Sequence, residues 1–258
     1  MLAPARPLQA RLLPHGRLDV VRQILLFSAA YWGYRLVRGQ VDGKAAESFQ
    51  NARELISLER GSHLFVEPAV QGWTSAHSWL IDSASWIYVN AQATVTVGAL
   101  LFIYLMHNRS FYFVRNMLMV AMGMALVGYV IFPTAPPRFL PEWGFVDSVA
   151  SLTSIAQDIV AVNALFNPFA AVPSMHVAFA LMLGWPLARL VRQPLIKAIW
   201  LAYPLLITFV VVATANHLLV DALLGGLAAG ASAWAAGRLG QVRPAVWAFR
   251  RAGTEAAA

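Results

Sequence analysis

His217 and Asp221 stand four residues apart in the stretch ANHLLVDALLGG, residues 215–226. On a helix that spacing puts both side chains on one face. A carboxylate there accepts the imidazole Nδ1–H and fixes the tautomer, which leaves Nε2 to act as nucleophile or base. Asp221 falls inside an apolar run, where an ionised carboxylate costs about 2.5–3.5 kcal/mol at a bilayer centre and less near its edge. The bland alternative is an interfacial pair that only satisfies itself, and the pair alone does not decide between the two.

A second block, PSMH, covers residues 173–176. Pro173 suits the approach to a helix and Ser174 suits its N-cap. A helix N-terminus offers free N–H groups and partial positive charge to an anion such as phosphate. His176 then lies in the first turn, aimed at the same place. A third block, FPTAPPRFLP at 132–141, holds Arg138 behind two stiffening prolines. A guanidinium grips a phosphate through two parallel hydrogen bonds. Asn167 and Asn216 are further hydrogen-bond donors for such a site, with helix capping as the alternative for each. Taken singly, Ser174 is a cap, and Arg138 and His176 are headgroup contacts. Taken together, these residues describe a phosphoryl-transfer site, with His217, His176 and Asp221 reacting and Arg138 and Ser174 holding phosphate oxygens.

The elements that must position them are membrane helices. The chain has 258 residues, 59% hydrophobic and only 12% charged, with a mean hydropathy of +0.60. Soluble domains carry about 25% charged residues. It has no cysteine, which excludes disulfides, thiolate nucleophiles and Cys-based metal sites. The net charge of +7 suits anionic headgroups and membrane orientation, and no aromatic-interleaved basic face suggests nucleic acid. Apolar runs give about six spans, near 20–37, 84–106, 112–132, 175–192, 196–214 and 217–237. The expected fold is therefore an all-α polytopic membrane bundle with added amphipathic helices on its outer face.

Basic residues fall on one side of six such spans: Arg6, Arg11, Arg17 and Arg22; Arg109 and Arg115; Arg189, Arg192 and Lys197; Arg238, Arg243, Arg250 and Arg251. That side is expected to be cytoplasmic, with both termini on it and the three motif blocks on the outer face. The expected layout is a basic N-terminus at 1–19, one transmembrane catalytic domain at 20–240 with core motifs at 132–226, and a cytoplasmic tail at 241–258. The first run lacks a cleavage site and reads as a retained span rather than a signal peptide. In the outer loop, AAESFQNARELISLERGSHLFVEP sets Ala52, Leu55, Ile56 and Leu58 at helical spacing. It reads as an amphipathic helix on the interface, or as a lid packed on the bundle. A second short helix is expected over 147–163, and disorder in the tail.

With PPR (136–138), PSMH (173–176) and NHLLVD (216–221) in this order, the chain resembles the type-2 phosphatidic acid phosphatase superfamily. More closely it resembles the branch that includes fungal inositol phosphorylceramide synthase, an inositolphosphotransferase. The resemblance spans about residues 85–237. It implies that His217 attacks phosphorus and becomes a phosphohistidine, that Asp221 orients it, and that His176 protonates the leaving oxygen and then activates water or an alcohol. It also implies that Arg138 and Ser174 hold the phosphoryl oxygens, without metal or other cofactor. The chain departs from the family pattern in three places. The usual first-block Lys falls near Ile131, the usual third-block Arg falls near Val211, and Met175 replaces a Gly. With two cations fewer, a singly charged phosphodiester fits better than a doubly charged phosphomonoester. Transfer to an alcohol such as inositol therefore stands beside hydrolysis. The rival classes are a lipid transporter or flippase, and a headgroup-binding scaffold without chemistry; the first would want polar residues near the midplane and paired broken helices.

Overall fold

A computed structural model describes residues 16–39, 44–150 and 169–247. Asn167, most of the helix expected over 147–163, the residues before 16 and those after 247 lie outside the described residues. Among the described residues the fold is all-α, with α1 Arg17–Gly39, α2 Ala45–Gly61, α3 Glu67–Ser75, α4 Ser78–Met106, α5 Asn108–Ile131, α6 Met175–Leu190, α7 Pro194–Ala213, α8 Leu219–Val242 and a short α9 Pro244–Trp247. Among those residues the one extended pairing is an isolated parallel bridge between Thr134 and Ala170.

Each expected span corresponds to a helix. Of these, α4, α5, α7 and α8 are long and apolar enough to cross a membrane, while α6 is apolar but shorter. In α1 the apolar run is interrupted by Arg22 and Arg35, and it does not reach that mark. Leu195, Ile199 and Leu205 of α7 and Leu223 and Leu227 of α8 point outward, exposed. Exposed tryptophans sit toward both ends of the bundle, Trp79 and Trp86 at one and Trp185 and Trp234 toward the other, as an aromatic belt requires. Inside, small residues let α5, α6 and α8 approach closely: Ala121, Ala125, Ala178, Ala229 and Ala236 all lie in one buried cluster.

Two helix starts and the place of one charge differ from the sequence reading. Helix α4 begins at Ser78 rather than 84, because its polar first turns, including Asp82 and Ser83, carry no apolar signal. They have a use: Ser85 Oγ donates to the Ser148 carbonyl at 3.3 Å. Helix α8 begins at Leu219, so His217 precedes it rather than sharing its face with Asp221. Arg115, counted as a loop charge, is inside α5 and 2% exposed. It donates to Gln23 and Asn116, and to the Trp247 carbonyl. Asp19 accepts from Gln23, Tyr104 and Tyr112 in the same network.

The amphipathic segment is a packed lid. Ser48, Ala52, Ile56 and Glu59 form the buried face of α2, while Leu58 is exposed. Ala52 and Ile56 pack against Ala135, Leu140, Phe145, Ala215 and Leu218, which belong to the motif-bearing segments. Pro68 sits in the first turn of α3, where its missing N–H is no loss.

Candidate active site

Backbone hydrogen bonds tie the three motif blocks together. Arg138 N–H donates to the Ala215 carbonyl at 2.8 Å, which joins the first block to the third. Ser174 N–H donates to the Asp221 carbonyl at 3.1 Å, which joins the second to the third. The Thr134–Ala170 bridge holds the end of α5 beside the approach to PSMH, through Thr134 N–H to Phe169 O at 3.0 Å and Ala171 N–H to Thr134 O at 3.1 Å. Lid helix α2 joins the same frame: Asn51 Nδ2 donates to Pro133 O at 2.8 Å and Ala135 N–H to Ser48 O at 3.1 Å.

Where α7 ends, the chain turns sharply. Ala215 has φ 50, a left-handed conformation that non-glycine residues adopt at a penalty and that clusters at functional turns. The turn sends the N–H groups of Asn216 and His217 to the Val211 carbonyl, at 2.9 and 3.2 Å. Val211, where the family usually has Arg, is thus a buried apolar position whose carbonyl aims His217. Ile131, where the family usually has Lys, is 71% exposed at the end of α5.

His217 Nδ1 lies 3.4 Å from Asp221 Oδ2. The same oxygen accepts the Leu218 N–H at 2.9 Å, so Asp221 fixes both the ring and the start of α8. The pair meets without a shared helix face, because the extended backbone of Leu218 brings His217 back over the first turn. Both residues are buried, His217 at 4% and Asp221 at 0% exposure. The His176 ring centroid is 5.9 Å from that of His217. On its other side His176 stacks on Tyr88 of α4, with centroids 4.4 Å apart and planes at 28°. Tyr88 had no signal in the sequence beyond being one aromatic in an apolar run.

Arg138 is 7% exposed. Its Nη1 donates to Asn216 Oδ1 at 2.7 Å, and Asn216 Nδ2 donates to Thr214 Oγ1 at 2.8 Å. Asn216 therefore neither caps a helix nor stands free for a substrate; it holds the guanidinium beside His217. Arg138 Nε lies 3.7 Å from Asp147 Oδ2 and has no hydrogen-bond partner among the described residues. Asp147 was not singled out from sequence, since nothing local links it to Arg138.

Ser174 occupies the N-cap position of α6, yet its side chain makes no cap bond. Its Oγ is buried and has no hydrogen-bond partner among the described residues. Gly225 explains the tight fit: a Cβ there would collide with the Ser174 carbonyl, so only glycine lets α8 pass so close.

A cavity of about 540 Å³ is lined by Arg138, His176, Asn216 and His217 at one end. It runs between α1 and α4 past Tyr88, Gln92 and Thr96, and reaches the exposed Tyr31, Trp32 and Val97. Asp221 and Ser174 do not line it; they stand behind the imidazoles. Among the described residues, no group of His, Asp and Glu side chains is arranged as a metal site.

Two residues that sequence reasoning missed reach this end of the molecule from the lid. Glu67 Oε1 accepts the Leu219 N–H at 2.8 Å and Glu59 Oε1 accepts the Val220 N–H at 2.7 Å. Burial pushes the Glu59 carboxyl up to about 8; the Val220 N–H opposes this, and the charge and hydrogen bond of Glu67 add to it.

A family model described as the PAP2 superfamily matches residues 53–235, which takes in all three blocks and most of the lid. No curated protein and no solved structure matches the chain.

Proposed function

We propose, since the chain belongs to the PAP2 superfamily, that its lipid-phosphate phosphatase-type chemistry runs through a phosphohistidine on His217. The observation that carries this reading is the convergence of His217, His176 and Arg138 on one end of a single cavity. In the first step the Nε2 lone pair of His217 attacks phosphorus and the bond from phosphorus to the lipid oxygen breaks. His176 gives its proton to that oxygen. In the second step water or an alcohol gives a proton to His176 as its oxygen attacks phosphorus, and the P–N bond breaks. Asp221 stabilises the imidazolium character that develops on His217. Arg138, pre-oriented by Asn216, meets the growing charge on the phosphoryl oxygens without having to reorganise. Ser174 Oγ, lacking a partner among the described residues, is the remaining donor for this charge if the mouth of α6 shifts on binding.

The substrate is a lipid. The cavity leads from the imidazoles to apolar, outward-facing residues of α1 and α4, so a tail can lie sideways in the bilayer while the phosphate meets His217. One guanidinium in the site, with apolar residues at positions 131 and 211, suits a singly charged phosphodiester. That favours the inositolphosphotransferase-like branch, with an alcohol such as inositol as acceptor beside water. We further infer six passes, cytoplasmic termini and a site on the extracytoplasmic face, from the excess of Arg and Lys on one side of the spans.

The test is to incubate the purified protein with phospholipids and prenyl phosphates, with and without inositol, and measure both released phosphate and new lipid products. Turnover of one of them that depends on His217 and on Arg138 is expected. Turnover that survives His217→Ala contradicts the reading.

A further inference from the structure

We propose that Glu59 and Glu67 of the lid are positioning residues for the His217–Asp221 pair, holding the first turn of α8 in place through one proton shared between their carboxyl groups. The proposal rests on the reading of His217 as nucleophile. The geometry behind it is separate from that reading.

The first N–H groups of a helix have no partner within it. At α8 three successive ones each meet a carboxylate: Leu218 meets Asp221, Leu219 meets Glu67 and Val220 meets Glu59. Asp221 belongs to α8 itself, whereas Glu67 and Glu59 lie 152 and 161 residues earlier in the chain than the residues they cap. This helix end is therefore filled by the protein's own acids, and the phosphate is left to Arg138 and the mouth of α6.

Glu59, Glu67 and Asp221 are 4%, 0% and 0% exposed. A helix terminus offers about half a unit of positive charge, too little for three buried anions. Each glutamate gives one oxygen to a backbone N–H. The other oxygen, Oε2 in both, is buried and has no donor among the described residues. Two buried carboxyls that cap adjacent N–H groups of one helix end, each with a second oxygen lacking a donor among the described residues, are satisfied together by one proton between them. The raised Glu59 value agrees with this, since Glu67 acts on it by charge and by a side-chain hydrogen bond. The charged groups acting on Glu59 are Glu67 from α3 and Asp221 from α8, both acidic.

While the proton is present, the lid clamps the turn that carries Asp221, and Asp221 holds the His217 ring. When it leaves, two like charges face each other in a buried place and the clamp loosens. The glutamates touch neither the cavity nor the reacting atoms; they act through Asp221.

The test uses the full chain in detergent, with Glu59→Gln and Glu59→Ala. Infrared spectra report the C=O stretch of a buried protonated carboxyl, and two activities are followed against pH: cleavage of phosphatidylinositol, a phosphodiester, to diacylglycerol, and phosphate release from phosphatidic acid. In the wild type we expect the band to titrate away as kcat falls on the alkaline side. Glu59→Gln replaces the shared proton by an amide N–H that cannot leave and keeps an oxygen for Val220. It should lose the band, keep kcat at neutral pH, and move the alkaline fall upward by about one pH unit or more. Glu59→Ala should lower kcat about tenfold or more with KM little changed. A wild type without the band, an unmoved alkaline limb in Glu59→Gln, or a wild-type kcat in Glu59→Ala each overturns the proposal. If the wild type turns over neither lipid, the catalytic reading is what suffers. Orthovanadate binding then judges the clamp: Glu59→Ala should weaken it and Glu59→Gln preserve it, and equal binding by both overturns the proposal.

Discussion

Two buried polar clusters lie at opposite ends of this bundle, and they are built differently. The cluster around Asp19 and Arg115 is saturated. Asp19 accepts three donors, and Arg115 donates to Gln23, to Asn116 and to the Trp247 carbonyl, whose other donor is Asn116 Nδ2. The cluster around Arg138 and Asp221 is not. Arg138 Nε, Ser174 Oγ, Asp221 Oδ1 and the Oε2 atoms of Glu59 and Glu67 all lack hydrogen-bond partners among the described residues. A buried polar group without a partner is destabilising by about 1–3 kcal/mol, and such a concentration marks a place kept ready for something else. Among the described residues, the cavity is lined by Arg138 of the unsaturated cluster and by none of the Asp19–Arg115 cluster. One end of the molecule is a fastening, the other a candidate site.

The sharpest break between the two ends comes from one substitution at each. His217→Ala should lower kcat/KM on the order of 10⁴-fold and leave the thermal unfolding midpoint close to wild type, as enzyme assay and differential scanning fluorimetry together report. Arg115→Ala should do the reverse. It strands Gln23, Asn116 and the Asp19 charge, so we expect a loss of about 3–5 kcal/mol of stability, with activity per folded molecule unchanged in a folded-fraction-corrected assay. If Arg115→Ala destroys turnover in the folded fraction, the contrast between fastening and site fails.

Gly225→Ala sharpens the comparison at the site end. The added methyl meets the Ser174 carbonyl, so overpacking of about 1–3 kcal/mol is expected, together with reduced turnover because the mouth of α6 must shift. Both are read from unfolding and kcat on the same sample.

Per pH unit, the smallest effect is a dependence of stability on pH. Folded Glu59 keeps a proton to about 8, whereas an unconstrained carboxyl releases it near 4.5. Between these values the folded state holds more protons than the unfolded one, so stability falls as pH rises, by at most about 1.4 kcal/mol per unit. Glu59→Gln should flatten that slope in midpoints measured across the window.

Much of this was legible in the sequence because it was written locally. Apolar runs gave the helices, and short spacings singled out His176, His217, Asp221 and Arg138, which the fold brings to one end of the molecule. What stayed hidden depends on contacts between distant segments. Tyr88 becomes a wall of the site only when α4 packs beside α6. Glu59 and Glu67 look like the polar face of an amphipathic segment, and only the folded lid turns them toward α8. The expected helix-face pairing of His217 with Asp221 misjudged the backbone, since the positive φ of Ala215 shifts His217 off the helix yet still delivers it to the carboxylate. Asn216, read as a free donor or a cap, is committed to Arg138. Ser174 holds the cap position without capping, because a serine N-cap signal reports backbone placement and cannot report where Oγ points.

The central claim is that phosphorus passes through a covalent bond to His217. Rapid quenching of the purified protein with a phosphorus-labelled lipid substrate, followed by peptide mapping under alkaline conditions that spare phosphohistidine, tests it most directly. We expect label on the peptide containing His217, absent from His217→Ala and discharged by added water or alcohol acceptor at the rate of turnover. Steady turnover with no labelled protein at any quench time, or label retained in His217→Ala, would contradict it.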